Sequence, residues 1–294
     1  MNANKTIIIT GANGFIGSAL TAHFSNKGYH VRALVRNPLQ QSSSTKSYHP
    51  YDLNTPIDEK QFQGANYMIH CAYIKYNVEN KNANELNIKG TKQLLNVSRK
   101  CGLVKNIFIS SMSAQPDALS NYGRQKYTIE QLFNTKNDVV VRPGLVLGNG
   151  GLLKSMTAFI KKNKIVPLIG GGNQPLQTLD VNELAIAIEK IIEKDLHGTF
   201  TVAETEPVTY KEFYKALCAV IRINALFIPI PYFITNITLH LLESMRLAKE
   251  ISTENLLGLK NLKIQNTEND MNKIGIKISG YKDTLDRLFA IKQR

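Results

Sequence analysis

The stretch T-I-I-I-T-G-A-N-G-F-I-G, Thr6 to Gly17, decides the fold of this 294-residue chain. It opens with three consecutive β-branched isoleucines, which suit a strand buried on both faces. Glycines then recur at three-residue spacing, at Gly11, Gly14 and Gly17. Glycine is needed where the backbone turns tightly, where a phosphate approaches it and where a helix packs on a strand. Because Phe15 to Asn26 is amphipathic, we predict a strand, a glycine-rich turn and a helix.

This turn predicts a dinucleotide site, with a connecting turn of no function as the alternative. Its free N–H groups and the positive end of the helix face an anion, so a pyrophosphate fits there. We expect a second strand at His30 to Arg36, whose end meets the adenosine ribose. An acidic residue there favours NAD and a basic one NADP. Val35 stands where the acid is expected and Arg36 follows it, which favours NADP unless Arg36 is only a solvated charge.

The composition describes an ordinary globular chain with an unusual charge. Hydrophobic residues make up 43% and charged residues 20%, as expected for one large domain or a domain plus an appendage. The net charge of +13 suits nucleic acid, an acidic membrane surface or anionic substrates. The basic residues are scattered, and the densest cluster is Lys161, Lys162 and Lys164. No basic run is interleaved with aromatic residues, so we expect no nucleic-acid partner.

The cysteines and apolar segments indicate the compartment. Cys71, Cys101 and Cys218 are isolated, which argues against disulfides or a zinc site, so we expect no metal. Met1 to Lys5 is too short and polar to begin a secretory signal, and we expect a cytoplasmic protein. The uncharged stretch Ile223 to Leu242 could span a bilayer by length, but prolines interrupt it. We expect a turn and then an apolar helix that forms a buried lid or core helix; a membrane span is not expected, and peripheral contact stays open.

Strand and helix patterns alternate along the chain, which predicts an α/β fold with a Rossmann-type doubly wound parallel sheet. The further strands are expected at Tyr48 to Leu53, Tyr67 to Cys71, Asn106 to Ser110 and Asp138 to Arg142. The helices are expected at Asn84 to Lys100, after Tyr122, and at Leu152 to Lys162, Val181 to Ile192 and Thr209 to Ala219. We therefore expect an NAD(P)-binding domain at 1–147. A smaller, mostly helical substrate-binding part is expected at 148–294, with segments returning to the Rossmann core.

Three polar residues are candidates for catalysis. Tyr122 and Lys126 are four residues apart, so on a helix they share one face. A nearby ammonium stabilises a phenolate, so we expect Lys126 to lower the pKa of Tyr122 and to suit it for proton exchange with an alcohol or carbonyl oxygen. Ser111 follows a strand and can hydrogen-bond the same oxygen. Such a pair alone is usually a surface coincidence, but here it follows a glycine-rich turn and a strand that ends in Ser-Ser.

The chain resembles the extended short-chain dehydrogenases/reductases, the NAD(P)-dependent epimerase/dehydratase group. The motifs that carry the resemblance are T-G-A-N-G-F-I-G at Thr10 to Gly17, Asp52-Leu53, I-H-C-A at Ile69 to Ala72, N-I-K-G-T at Asn87 to Thr91, Ser110-Ser111, Tyr122 with Lys126, R-P-G-L-V-L-G at Arg142 to Gly148, L-D-V-N-E-L-A at Leu179 to Ala185, and N-D-M-N-K-I-G-I at Asn269 to Ile276. These motifs together identify the family, but they say much less about which substrate is bound.

The resemblance implies a site in which hydride passes between a nicotinamide and a sugar carbon. Tyr122 is then the acid/base, Lys126 holds the nicotinamide ribose, and Ser111 polarises the reacting oxygen. The expected cofactor contacts are Gly11, Asn13, Gly14, Phe15, Ile16, Gly17, Arg36, Asp52, Leu53, Cys71, Ala72, Tyr73, Asn87, Lys126 and Pro143. The expected substrate contacts are Ser111 and Tyr122, with Lys154, Arg222 and Arg246 as basic candidates for a nucleotide-sugar pyrophosphate.

Two departures from the family pattern narrow the reaction. Members that eliminate water carry Asp-Glu after the serine, whereas Met112 and Ser113 stand here, so we do not expect a dehydratase. Val35-Arg36 resembles NADP-using members, which favours a 4-keto reductase over an epimerase, with NAD as the second cofactor. A reductase or dehydrogenase of a lipophilic ketone or alcohol, such as a steroid- or flavonoid-like ring, and a non-catalytic scaffold stay open. Family members often pair through the helices that hold Asn87 and Tyr122, so we expect a homodimer.

Overall fold

A seven-stranded, fully parallel sheet forms the centre of the protein. The structure is a computed structural model and describes residues 5–38, 42–76, 80–235 and 253–290. The strands of the central sheet are β1 (Thr6–Thr10), β2 (His30–Val35), β3 (Lys46–Pro50), β4 (Tyr67–His70), β5 (Lys105–Ile109), β6 (Asp138–Pro143) and β11 (Gly198–Val202). Their order across the sheet is β11-β6-β5-β4-β1-β2-β3. The expected doubly wound sheet is thus confirmed, with a seventh strand added beside β6.

Helices cover both faces of this sheet. One face is covered by α1 (Phe15–Asn26), α5 (Val181–Glu193) and α8 (Glu268–Ile274), and the other by α2 (Ala83–Lys100) and α3 (Asn121–Glu130). Ile7 and Ile9 of β1 point into the first layer and Ile8 into the second, and all three are fully buried. The isoleucine run therefore serves two cores at once, as a parallel strand requires.

The remaining elements form a third layer from the second half of the chain. Its helices are α4 (Gly151–Asn163), α6 (Tyr210–Val220) and α9 (Tyr281–Ala290), whereas α7 (Thr253–Lys260) packs beside α3. Its short strands pair as β7 (Leu145–Leu147) with β10 (Thr178–Asp180), β8 (Ile165–Ile169) with β13 (Leu226–Ile230), and β9 (Pro175–Leu176) with β12 (Val208–Thr209). Single 3₁₀ turns lie at Glu59–Gln61 and Gly170–Gly172. Thr209 and Glu212 form a capping box that starts α6.

The structure corrects two expected elements. The strand expected to run to Leu53 ends at Pro50, because Asp52 Oδ1 accepts a hydrogen bond from the Asn54 amide at 2.9 Å and turns the chain. The uncharged stretch 223–242 does not open with the expected turn: Leu226–Ile230 is the strand β13, paired in parallel with β8. A helical turn follows at 232–235, and residues 236–242 lie outside the described residues. Within the parts of the chain that the structure describes, every helix is too short or too polar to cross a bilayer.

Candidate active site

The glycine-rich turn is packed too closely for side chains. Gly11 has φ +64°, and a Cβ on it would lie 2.9 Å from the Cα of Ala72, just beyond β4. A Cβ on Gly17 would lie 2.2 Å from the carbonyl oxygen of Gly11. These two glycines let the start of α1 and the end of β4 approach the turn, which is the cradle that the sequence predicts.

The N-terminus of α1 faces the same side as this turn and is open. Gly14 occupies the N-cap with no side chain bonded to the first amides, and the first turn holds no acidic residue. Such amides, with the positive end of the helix, suit an anion. Phe15 and Ile16 supply these amides, while the ring of Phe15 packs against the loop 148–151, where a Cβ on Gly150 would lie 2.5 Å from it. Asn13 is exposed beside them. The turn and helix end thus fit a dinucleotide pyrophosphate.

The cleft of the candidate site lies at the carboxyl ends of the central strands, beside the glycine-rich turn. A buried chain of hydrogen bonds lies beneath it. Thr10 Oγ1 is bonded to His70 Nδ1 at 2.7 Å, and His70 Nε2 to Thr91 Oγ1 at 3.0 Å. Thr10 Oγ1 also accepts from the amides of Cys71 and Ala72. Burial lowers the pKa of His70 to about 3 and raises the pKa of Cys71 to about 12, so both are uncharged near neutral pH. Thr10, His70 and Thr91 lie in motifs that carry the family resemblance, but the sequence analysis assigned them no role, although a histidine inside the apolar β4 was a visible signal.

The residues expected at the adenosine end occupy different environments. Arg36 is exposed just after β2, and within the described residues it makes no hydrogen bond or ion pair. One carboxylate oxygen of Asp52 accepts a hydrogen bond from the Asn54 amide in the same turn. Leu53 is buried against α2, where a Cβ on Gly90 would lie 2.6 Å from its side chain. Of the three, Arg36 has the most freedom to meet a phosphate.

The structure brings Ser111, Tyr122 and Lys126 together at the carboxyl ends of β5 and β6. Ser120 caps α3 by accepting from the Gly123 amide at 3.1 Å, and a Cβ on Gly123 would lie 2.4 Å from Ser113 O. This glycine therefore lets α3 lie directly against the segment that follows β5. The Tyr122 hydroxyl faces Ser111, which favours the ionised form of the phenol. The Lys126 ammonium donates to Ile109 O at 2.8 Å.

The pKa shifts within the trio Ser111, Tyr122 and Lys126 differ from those expected from the sequence. The pKa of Tyr122 is raised, not lowered, because burial of its hydroxyl outweighs the opposing effect of Ser111. The ring itself is 40% exposed, so only the hydroxyl end is enclosed. Burial lowers the pKa of Lys126 to about 8, against smaller opposing effects of Cys71 and Glu130. Its ammonium is directed at Ile109 O rather than at the phenol, which lies beyond a ring centroid 5.9 Å away.

An ion pair behind the trio was also missed by the sequence analysis. Glu130, at the end of α3, is bonded to the guanidinium of Arg142 and accepts from Ser110 Oγ at 2.5 Å. Its side chain is only 3% exposed. This pair joins α3 to β5 and β6 directly behind Ser111. Only the topology shows it, because the three residues lie apart in the sequence.

The remaining predicted residues are distributed around the cleft. Asn87 holds Ile74 through its amide and carbonyl, both at 2.8 Å, and Pro143 O accepts from the Met112 amide at 3.1 Å. Both therefore fix backbone near the trio. Lys154 is exposed in the first turn of α4, directly after the loop that packs on Phe15.

The second basic candidate lies in the third layer of the protein. Arg222 is exposed at the end of α6 with φ +56°, a conformation that ends a helix. Arg246 lies outside the described residues. Among the residues that the structure describes, no three His, Cys, Asp or Glu side chains are grouped as metal ligands.

Comparison with known proteins places this geometry in a family. The model of the NAD dependent epimerase/dehydratase family matches residues 7–203. The chain is 25% identical to dTDP-4-dehydro-6-deoxy-D-allose reductase of Streptomyces bikiniensis over 267 residues, 74% of this chain and 82% of the relative. It is also 25% identical to UDP-glucose 4-epimerase of Vibrio cholerae over 260 residues, 77% and 79% of the two chains. An uncharacterised protein of Sinorhizobium fredii, y4nG, is 22% identical over 72% of this chain, which spans only 60% of that relative.

Solved structures share the fold over almost the whole chain. MoeE5 in complex with UDP-glucuronic acid and NAD superimposes with a TM-score of 0.78 at 16% identity, covering 98% of this chain and 99% of that one. The human epimerase family protein SDR39U1 with NADPH gives a TM-score of 0.75 at 17% identity, covering 97% and 99%. The family match spans the glycine-rich turn, the trio and the seventh strand of the central sheet. The chain therefore belongs to the NAD dependent epimerase/dehydratase family.

Proposed function

We propose that this protein is an NAD(P)-dependent oxidoreductase or epimerase that acts on a nucleotide-linked sugar, most specifically as a 4-keto reductase. One observation carries the proposal: Ser111 and the Tyr122 hydroxyl meet at the sheet edge that also presents the open N-terminus of α1. Relatives named as a dTDP-4-dehydro sugar reductase and a UDP-glucose 4-epimerase support the substrate class. Fold likeness to a structure holding UDP-glucuronic acid and NAD agrees with it.

Ser111, Tyr122 and Lys126 would have different roles in proton transfer. A bound nicotinamide would supply or accept the hydride. Ser111 would donate a hydrogen bond to the reacting oxygen, and Tyr122 would hold the proton that this oxygen gains in reduction or loses in oxidation. Lys126, held behind them by Ile109 O, would hold the ribose and counter a developing phenolate. Because the pKa of Tyr122 is raised, the phenol is protonated at neutral pH, which is the form that reduction of a ketone needs.

The cofactor is proposed to be NADP in preference to NAD. Arg36 stands beyond the end of β2 with its guanidinium exposed and free of partners among the described residues, and the preceding Val35 is buried and uncharged. A 2′-phosphate at this strand end would gain a charge-assisted contact. We expect NADPH to bind at least ~10-fold tighter than NADH, about 1.4 kcal/mol, and Arg36→Ser to remove most of that preference while NADH binding is unchanged.

The test combines cofactor titration with turnover. The chain has no tryptophan and 12 tyrosines, so energy transfer from tyrosine to bound NADPH reports affinity. Turnover is then followed as NADPH loss with UDP- and dTDP-linked 4-keto sugars. We expect Tyr122→Phe to slow turnover by ~10²-fold or more with unchanged NADPH affinity. Tyr127→Phe, on the same helix, is the matched control and should behave as the wild type.

Other outcomes separate the remaining functions. NAD that stays bound through purification, with interconversion of UDP-hexoses, would point to the epimerase instead. Turnover confined to lipophilic ketones would replace the nucleotide sugar by that substrate class. If neither NADPH nor NADH binds, or if Tyr122→Phe is as active as the wild type, the catalytic proposal is wrong and a scaffold role takes its place.

A further inference from the structure

The Lys126 ammonium is enclosed mainly by aromatic rings. Lys126 is only 5% exposed, and its one charge-satisfying hydrogen bond among the described contacts goes to Ile109 O at 2.8 Å. Its Nζ lies 4.7 Å from the ring centroid of Tyr73 and 4.6 Å from that of Phe108. Both distances are within the range of a cation–π interaction, which stabilises the charged form and strengthens when water is excluded.

Tyr73 is held in this position by contacts of its own. Its hydroxyl donates to Gln125 Oε1, and Gln125 is only 3% exposed. The same oxygen accepts from Asn87 Nδ2 at 3.3 Å. The Tyr73 ring also meets the Tyr122 ring edge-to-face, with centroids 5.4 Å apart at 87°. Tyr73 therefore touches both members of the pair on α3 while its own orientation is fixed.

We propose that Tyr73 is a positioning residue of the candidate active site: its ring stabilises the Lys126 ammonium and fixes the ring of Tyr122. The Tyr122 ring lies farther from the ammonium, at 5.9 Å, and Phe108, the other near ring, is a core residue stacked on Phe133 and His70. Tyr73, at the edge of the cleft, is the neighbour that can be changed with less damage to the core. Its effect on turnover rests on the proposed function, whereas its effect on the ammonium does not.

The other groups around Lys126 supply little free negative charge, so the aromatic rings matter for stabilising its ammonium. His70 and Cys71 face it from the end of β4, and both are uncharged near neutral pH because burial shifts the pKa of His70 to about 3 and that of Cys71 to about 12. Glu130 faces it from α3 but is already paired with Arg142. Tyr122 is protonated at neutral pH. The carbonyl of Ile109 and the two ring faces thus supply most of the compensation for a buried charge.

The test titrates Lys126 directly in the protein without cofactor or substrate. Lysines labelled with ¹³C at Cε are followed by NMR from pH 6 to 11, and the Lys126 signal is assigned by its loss in Lys126→Met. We expect Tyr73→Leu to lower the titration midpoint by about 0.5–1 pH unit, since about 1.4 kcal/mol corresponds to one unit. Tyr73→Phe keeps the ring and should shift the midpoint by less than half as much.

One control separates this role from a structural one. Phe62 is fully buried in the same core, away from the rings that face the ammonium, so Phe62→Leu should lower stability and leave the midpoint unchanged. If Tyr73→Leu is folded by circular dichroism and titrates as the wild type, or if Phe62→Leu shifts the midpoint equally, the proposal is wrong.

Kinetics provides the second readout. With a turned-over substrate, Tyr73→Leu should lower kcat with little change in KM and move the alkaline limb of the pH profile in the same direction as the NMR midpoint. An unchanged pH profile would contradict the role in turnover. Failure of the wild type to turn over any substrate would instead count against the proposed function, and the NMR titration would still decide the role of Tyr73.

Discussion

Glu130→Gln is the substitution whose cost follows most directly from the structure. Glu130 binds the Arg142 guanidinium through both carboxylate oxygens and accepts from Ser110 Oγ. The glutamine keeps the shape but removes the charge. Removing one member of a buried pair typically costs about 3–5 kcal/mol, because the remaining charge loses its partner. The Arg142 side chain is 22% exposed, so water compensates in part, and we expect the free energy of unfolding to fall by about 2–3 kcal/mol.

The assay is thermal and urea unfolding against a matched exposed pair. A loss of this size corresponds to roughly 4–12 °C in Tm at ~2–4 °C per kcal/mol. Glu59→Gln is the control, because Glu59 pairs with Lys100 at the surface, where the two side chains are 45% and 69% exposed. That control should unfold at the wild-type temperature. The double variant Glu130→Gln/Arg142→Gln should cost less than the sum of its single changes. If Glu130→Gln and Glu59→Gln unfold at the same temperature, the reasoning from burial is refuted.

Two further changes probe the cleft. Gly17→Ala places a methyl group 2.2 Å from Gly11 O, so the turn must shift, and NADPH affinity should fall at least ~10-fold. Gly258→Ala is the control, because its Cβ meets nothing closer than 3.8 Å, and it should bind NADPH as the wild type does. Equal NADPH affinities of the two variants would contradict the packing argument. The pKa of His70 is lowered to about 3. Below pH ~6.5, the ordinary pKa of histidine, the unfolded chain therefore binds a proton that the native state does not. The free energy of unfolding then decreases by up to about 1.4 kcal/mol for each unit by which the pH falls. Urea unfolding between pH 7 and 4.5 should therefore show a shallower pH dependence for His70→Asn, and parallel curves would exclude His70 as the cause.

The sequence could predict those features whose signal is local. The run Thr6 to Gly17 predicts strand, turn and helix within 12 consecutive residues, and the structure confirms each. Tyr122 and Lys126 lie on one helix, so their common face follows from spacing alone. The contacts Thr10–His70 and Glu130–Arg142 span 60 and 12 residues and depend on which strand ends become neighbours, so no local pattern reveals them.

Two of the wrong expectations have different physical origins. The sign of the Tyr122 pKa shift depends on the balance between a charge and burial, and only coordinates give the direction of the Lys126 ammonium. The start of the stretch 223–242 holds Pro229 and Pro231, which indicate a turn as long as the partner strand is not known. Its partner, β8, lies some 60 residues earlier in the register Leu226↔Ile165. Pro229 is tolerated in β13 because this strand pairs on one side only.

The position of β11 in the central sheet has a consequence for how the chain acquires its structure. Because β11 pairs along β6 from Gly198 to Val202, the hydrophobic layer on that side of the sheet stays incomplete until about two thirds of the chain has left the ribosome. Until then β6 presents an unpaired edge, and the helix α5, which packs against α1, ends only a few residues before β11 begins. A nascent chain that ends before β11 should therefore hold only loosely formed structure at β6, and limited proteolysis of stalled chains should show protection of β6 appearing only after residue 202 has emerged.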